Sequence, residues 1–197
     1  MPRRTPKLIA ISSRRDAYVM ERIETAPHSA TAVEVKELAR ELQRPPVTGI
    51  ETLEKKLWRK TSRARHGFYS TSSSLHRRQF EVAVETIDSH LSTTSALVIL
   101  HGDLRARNRL RTSGKLMAVD PKPAIGDPSY DLAFYLAWRE QDLPVLADWK
   151  SVSEPRLDQW VWALSVMERK GKDAFPEHRE SLIETSGDVS KTWRLAS

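Results

Sequence analysis

No cysteine occurs anywhere in the 197 residues. That excludes a disulfide framework, a thiolate metal site and a cysteine nucleophile, and it suits a reducing compartment. No apolar run approaches the roughly 18 residues needed to cross a bilayer. The N-terminus, MPRRTPKLIAISSRRD, is basic, but its apolar part runs only from Leu8 to Ile11. This is too short for the core of a secretory signal. The expected location is the cytoplasm, with no membrane partner. Glycine is scarce too, and none precedes Gly49. No internal repeat is visible.

What is present is a globular composition. Hydrophobic residues make up 39% and charged residues 29%, enough for one domain with a sizeable core, with or without a small appendage. The formal net charge is +6, with Lys and Arg concentrated near residues 3–7, 55–65 and 105–111. A basic balance can signal nucleic-acid binding. No such motif accompanies it here, so solvated helix faces are the plainer reading and nucleic acid is not the expected partner.

Residues 1–16 are rich in Pro, Arg and Ser and are expected as a basic, poorly ordered tail. Ala17-Tyr18-Val19-Met20 reads as a short buried strand. Val35, Leu38, Ala39 and Leu42 fall at helical spacing, which predicts an amphipathic helix over 32–43 with Ser29 or Thr31 as N-cap. Pro45 and Pro46 end it. A second helix is predicted over 50–60, a polar serine-rich loop over 61–74 and a third helix over 75–91. Ala96 to Leu100 reads as a strand. Two more strands, 108–111 and 115–119, are expected around Ser113-Gly114. An irregular loop follows, then a helix over 131–138 and one opening at Ser153-Glu154-Pro155. Further helices are expected over 176–184 and 189–195. The fold class is α+β, mostly helical, with a small β-hairpin.

The chemistry is concentrated between Val98 and Asp131. The apolar strand ends on His101-Gly102-Asp103, Asn108 follows five positions after the Asp, and the hairpin's second strand ends on Asp120. Phosphoryl transfer needs a carboxylate to orient or deprotonate the attacking hydroxyl. It also needs hard oxygen ligands to hold Mg2+ against phosphates. The order H-x-D-x-x-x-x-N followed by Asp is the one protein kinases use for these tasks. A lone Asp-x-x-x-x-Asn would mean little, since loops are rich in both residues. Six such residues at strand ends and a helix start mean more.

HGDLRARN followed by VDPKPAIGDPSYDLA resembles the aminoglycoside phosphotransferase-like kinases. It is most similar to their streptomycin 6-kinase, or aminoglycoside/hydroxyurea resistance kinase, branch. The likeness is strong over residues 96–136 and weaker from Ala17, where AYVMERI looks like the strand and hinge leading into the helical lobe. The resemblance implies ATP and Mg2+ as cofactors, an aminoglycoside such as streptomycin as small-molecule substrate, and a protein-kinase-like fold. It makes Asp103 the catalytic base and Asn108 and Asp120 the Mg2+ ligands. Met20, Glu21 and Arg22 then lie near the adenine. Asp131 hydrogen-bonds the His101 loop, and His101 braces it. Residues 17–197 correspond to the C-terminal, catalytic lobe. The N-terminal lobe, with its phosphate-covering loop and paired lysine, is not recognisable, so weak or absent activity is expected.

Departures and plainer readings stand beside this. Arg105 and Arg107 add two cations to the loop after Asp103, where they pair with phosphate or are degenerate surface. Lys122 touches phosphate or is a solvated loop lysine. Asp127 and Glu140 would attract a cationic substrate, or Asp127 simply builds the Gly126–Pro128 turn. Trp160 is expected in the core. The competing function is a non-catalytic, pseudokinase-like binding or regulatory module.

Overall fold

The computed structural model describes residues 4–12, 14, 17–25, 30–71, 74–112, 114–138 and 150–167. Among them lie six strands and five helices, the strands paired as three separate two-stranded antiparallel sheets. Glu140 and the helices expected beyond residue 175 lie outside the described residues.

Strands β1 (Leu8–Ser12) and β2 (Ala17–Met20) form a ribbon with a register irregularity between Leu8 and Ala10. β1 falls inside the stretch expected as a tail. Its side chains stay outside the core, Ile9 and Ile11 being 60% and 71% exposed. Ala17–Met20 is a strand as expected, but not a buried one, since Val19 is 56% exposed. The segment is also anchored ahead of β1: Arg4 pairs with Glu41, and the Ala118 N–H donates to the Arg4 carbonyl at 2.8 Å.

Helix α1 (Ala32–Leu42) buries Ala32, Val35, Leu38 and Ala39. Thr31 caps it in a reciprocal box with Glu34, satisfying backbone N–H groups that the first turn leaves without helical partners. Helix α2 runs from Leu53 to Thr71, well past the expected stop at Lys60. The polar stretch read as a loop is helical although Ser, Thr and Gly67 lend it little intrinsic propensity; no proline interrupts it, and the helix continues unbroken from the packed turns at Leu53 and Leu57. Its polarity is that of a solvated face, and Arg65 pairs with Glu81 of α3 (Ser74–Thr93) at 2.8 Å.

Strand β3 (Val98–Leu100) pairs with β6 (Ala124–Gly126) in the register Val98 to Gly126 and Leu100 to Ala124. β6 lies in the segment expected as irregular; three residues after a proline carry too little period to be read as a strand. β4 (Arg109–Thr112) and β5 (Lys115–Ala118) form the expected hairpin, with Gly114 at φ 98° in its turn. Helices α4 (Tyr130–Ala137) and α5 (Pro155–Met167) pack on each other, and α3 packs on α5. Every residue of α4 is buried, Trp160 of α5 is fully enclosed, and Tyr130 meets it edge to face at 5.7 Å. This core sets two short loops, 101–105 and 119–123, side by side: the Lys122 N–H donates to the His101 carbonyl at 2.8 Å.

Candidate active site

Asp131 stands at the start of α4, fully buried beneath the turn that follows β3. Its Oδ2 accepts the His101 N–H at 2.7 Å and its Oδ1 the Gly102 N–H at 2.8 Å. Burial pushes the Asp131 carboxyl up from its ordinary range, and those two N–H groups oppose the push. Gly102 has φ 77°, a conformation that costs any residue with a Cβ. A Cβ there would stand 2.5 Å from Lys56 Nζ and closer still to the Lys122 carbonyl oxygen. His101 Nε2 lies 3.0 Å from the Val119 carbonyl, so that nitrogen carries the proton and Nδ1 faces the Asp103 N–H at 3.4 Å. Burial lowers the His101 pKa, which favours the neutral ring.

Asp103 is buried, and both of its oxygens are engaged. Arg105 Nε donates to Oδ1 and Lys122 Nζ to Oδ2, each at 2.6 Å. Burial raises its pKa, but the hydrogen bonds from Lys122 and Arg105 outweigh it and hold the carboxyl below the ordinary range. The two cations differ in freedom. The Arg105 guanidinium sits 4.4 Å over the Trp138 ring and 5.4 Å from the Phe134 ring centre. The Lys122 side chain is 53% exposed.

Asn108 closes the single 3-10 turn of residues 106–108. Its Nδ2 donates to the Asp103 carbonyl at 2.8 Å, which fixes the amide orientation and leaves Oδ1 as the atom free for a cation. The Asn108 carbonyl accepts the Val119 N–H at 3.0 Å, so the turn is tied to the end of β5. One residue on, Asp120 is the only described non-glycine residue at positive φ, 54°. It is exposed, and its carboxylate makes no hydrogen bond or ion pair with the described residues. Aspartate, like asparagine, adopts this left-handed backbone more readily than most residues with a Cβ.

These oxygens fit Mg2+ by their chemistry. Mg2+ takes one or two protein oxygens and completes its shell with phosphates and water. Among the described residues, no group of three His, Asp or Glu side chains could cage a metal.

The remaining expected residues fall elsewhere. Asp127 is buried, and its carboxylate accepts from Trp160 Nε1 at 2.9 Å, Arg156 Nε at 2.7 Å, the Ser129 N–H at 2.9 Å and the Thr94 hydroxyl at 3.2 Å. Four internal donors occupy it, and it ties α5 to the end of α3. Met20 ends β2 and Glu21 and Arg22 follow it, with the Glu21 N–H donating to the Lys7 carbonyl. One residue at the site escaped the sequence altogether. Lys56 of α2 donates from Nζ to the Gly102 carbonyl at 2.8 Å and to the Lys122 carbonyl at 2.6 Å. Burial depresses its pKa, with Asp131 and Asp103 opposing. Helical spacing marks Leu53 and Leu57 as the buried face of α2 and gives no sign that Lys56 reaches a loop.

A model of the aminoglycoside/hydroxyurea antibiotic resistance kinase family matches residues 25–173. The chain belongs to this family. Its fold is kinase-like. A choline/ethanolamine kinase family protein from Mesorhizobium loti superposes with a TM-score of 0.63 at 12% identity, over 96% of this chain and 72% of that one. A choline kinase from Cryptosporidium parvum Iowa II gives 0.51 at 14% identity, over 93% of this chain and 63% of the other. The chain thus spans less than two thirds of the second structure. No curated protein matches it significantly. Family membership makes the chain a small-molecule kinase by class and implies a nucleoside triphosphate as phosphoryl donor. Among the described residues, no helix is long and apolar enough to cross a membrane.

Proposed function

We propose that this chain transfers a phosphoryl group from ATP to a hydroxyl of an aminoglycoside such as streptomycin, with residues 17–197 serving as the catalytic lobe. The observation that supports this most is the buried Asp103 carboxylate, set between two cations and joined through its own carbonyl to Asn108. Asp103 orients the attacking hydroxyl and takes its proton as the bond to phosphorus forms. A carboxyl held below its ordinary range is a weak base at neutral pH, so orientation is the larger part of its work. The hydroxyl needs one of the two Asp103 oxygens. Lys122, half exposed, is the partner that releases it, while Arg105 stays stacked on Trp138. Asn108 Oδ1 and Asp120 would hold Mg2+, which when bound neutralises charge on the triphosphate. Met20, Glu21 and Arg22 are assigned to the adenine side. Asp127 is assigned to the scaffold rather than to the substrate, because its acceptors are taken by internal donors.

The double ion pair on Asp103 also favours a second reading, a pseudokinase-like module that binds a ligand or partner without transfer. Titration calorimetry with Mg·ATP and a phosphate-transfer assay with streptomycin separate the two. The catalytic reading expects ATP binding, and transfer that falls at least about 100-fold in Asp103→Asn. Binding without transfer supports the module. No binding at millimolar ATP ends the enzyme reading, and transfer unchanged in Asp103→Asn removes the assigned base.

A further inference from the structure

Helix α2 enters the molecule beside β6. The Ile125 N–H donates to the Glu51 carbonyl at 2.8 Å, Thr52 bridges to Ile125, and Leu53 packs so closely on Gly126 that a Cβ there would lie 2.5 Å from the Leu53 Cβ. The first turn of α2 is therefore fixed, and with it the direction in which Lys56 leaves the helix. Lys56 reaches two carbonyls 20 residues apart in sequence, Gly102 and Lys122. One belongs to the residue before Asp103 and the other lies two residues after Asp120. Gly102 is held on both sides, its N–H by Asp131 and its carbonyl by Lys56. An ammonium has three donors and no acceptor, so it can bridge two carbonyls where a hydroxyl or an amide N–H would serve one. Ordering a lysine costs rotamer entropy, and a merely solvated lysine would not stay half-buried between two loops.

We propose that Lys56 is a positioning residue, whose ammonium cross-links the loop carrying Asp103 to the loop carrying Asp120 and so fixes the spacing of the phosphoryl-transfer groups. The assignment rests on the catalytic reading of Asp103 and Asp120. The cross-link itself rests on geometry alone.

The test compares Lys56→Met, which keeps the length and removes the donors, with Lys56→Arg, which keeps a cation. Amide hydrogen exchange is read at Lys122 and Gly102, whose N–H groups donate to the His101 carbonyl and to Asp131, and at Ala133 within α4 as a control. In Lys56→Met, exchange at Lys122 and Gly102 accelerates at least roughly tenfold while Ala133 stays within about twofold. The kcat for transfer falls about 10- to 100-fold, with KM for ATP and acceptor within about threefold, as misplacement of reacting groups by an ångström would give. Lys56→Arg, whose guanidinium keeps several N–H donors, retains both properties within about fivefold. Unchanged exchange at Lys122 and Gly102, or equal acceleration at Ala133, overturns the proposal. If Lys56→Met does not fold, tenfold acceleration at Lys122 in Lys56→Arg overturns it instead. An inactive wild type whose Lys56→Met variant still shows the local acceleration removes the kinase reading and leaves the tether. An active wild type with unchanged exchange and kcat in the variant does the reverse.

Discussion

Replacing Asp131 with Asn is the most discriminating perturbation of the scaffold under the site. The substitution preserves shape and removes one acceptor. Both carboxylate oxygens accept a backbone N–H, from His101 at 2.7 Å and Gly102 at 2.8 Å, in a place with no solvent access. An asparagine has one oxygen, so whichever way it turns its NH2 faces an N–H. One hydrogen bond to a charged group is lost, typically about 1.5–3 kcal/mol, and a buried donor is left unsatisfied at about 1–3 kcal/mol. These costs overlap, so the expected destabilisation is about 3 kcal/mol. With a urea m-value of about 2 kcal/mol/M, the unfolding midpoint falls by about 1.5 M. Equilibrium urea unfolding followed by tryptophan fluorescence reads this directly. The variant that folds should also lose transfer by roughly 100-fold, because the two N–H groups shape the backbone that holds Asp103. A midpoint within about 0.3 M of wild type would refute the claim that Asp131 determines the loop.

Gly102→Ala should cost at least about 2 kcal/mol, since alanine at φ 77° is strained and its Cβ has no room beside Lys56 and the Lys122 carbonyl; thermal unfolding and loss of transfer check it. His90 gives a pH signature. Burial, with Arg156 beside it, lowers its pKa from 6.5 to about 4 in the folded chain. The unfolded state therefore binds the extra proton, and this contribution to stability is present above pH 6.5 and lost as pH falls toward 4. The loss amounts to at most about 3 kcal/mol. His90→Gln should lose less stability than wild type between pH 7 and pH 4.5 in urea unfolding.

The sequence carried the outline of the site because its constraints are local. A strand ending on His101-Gly102-Asp103, a hairpin turning at Gly114 and an acid opening α4 are each written within a few residues. α1 was readable for the same reason, its apolar spacing and Thr31 cap being contiguous. What could not be read is what only tertiary contact creates. Nothing near Arg105 reveals that it will stack on Trp138 and grip Asp103. Nothing near Lys56 points to loops that follow it by 46 and 66 positions. Asp127 shows the converse: its sequence position allows a substrate contact or a turn-building role, and the bonds it accepts from Arg156 and Trp160, some 30 residues later, are invisible there. The longer α2 was missed because a polar, serine-containing surface has the same composition whether it is helix or loop.

The paired state of Asp103 also determines how the site responds to its solution. Its carboxylate side chain is 2% exposed, and both of its ion pairs are 2.6 Å long. Mobile ions screen charges over a distance of about 10 Å at 0.1 M, but they need water between the charges to do it. Raising the concentration of potassium chloride will therefore leave the Arg105 grip on Asp103 in place, Arg105 being 22% exposed, while weakening the long-range attraction that the basic surface exerts on anions. Under the proposed function, a phosphate-bearing ligand competing for the half-exposed Lys122 would loosen that side of the carboxylate and leave the Arg105 side held.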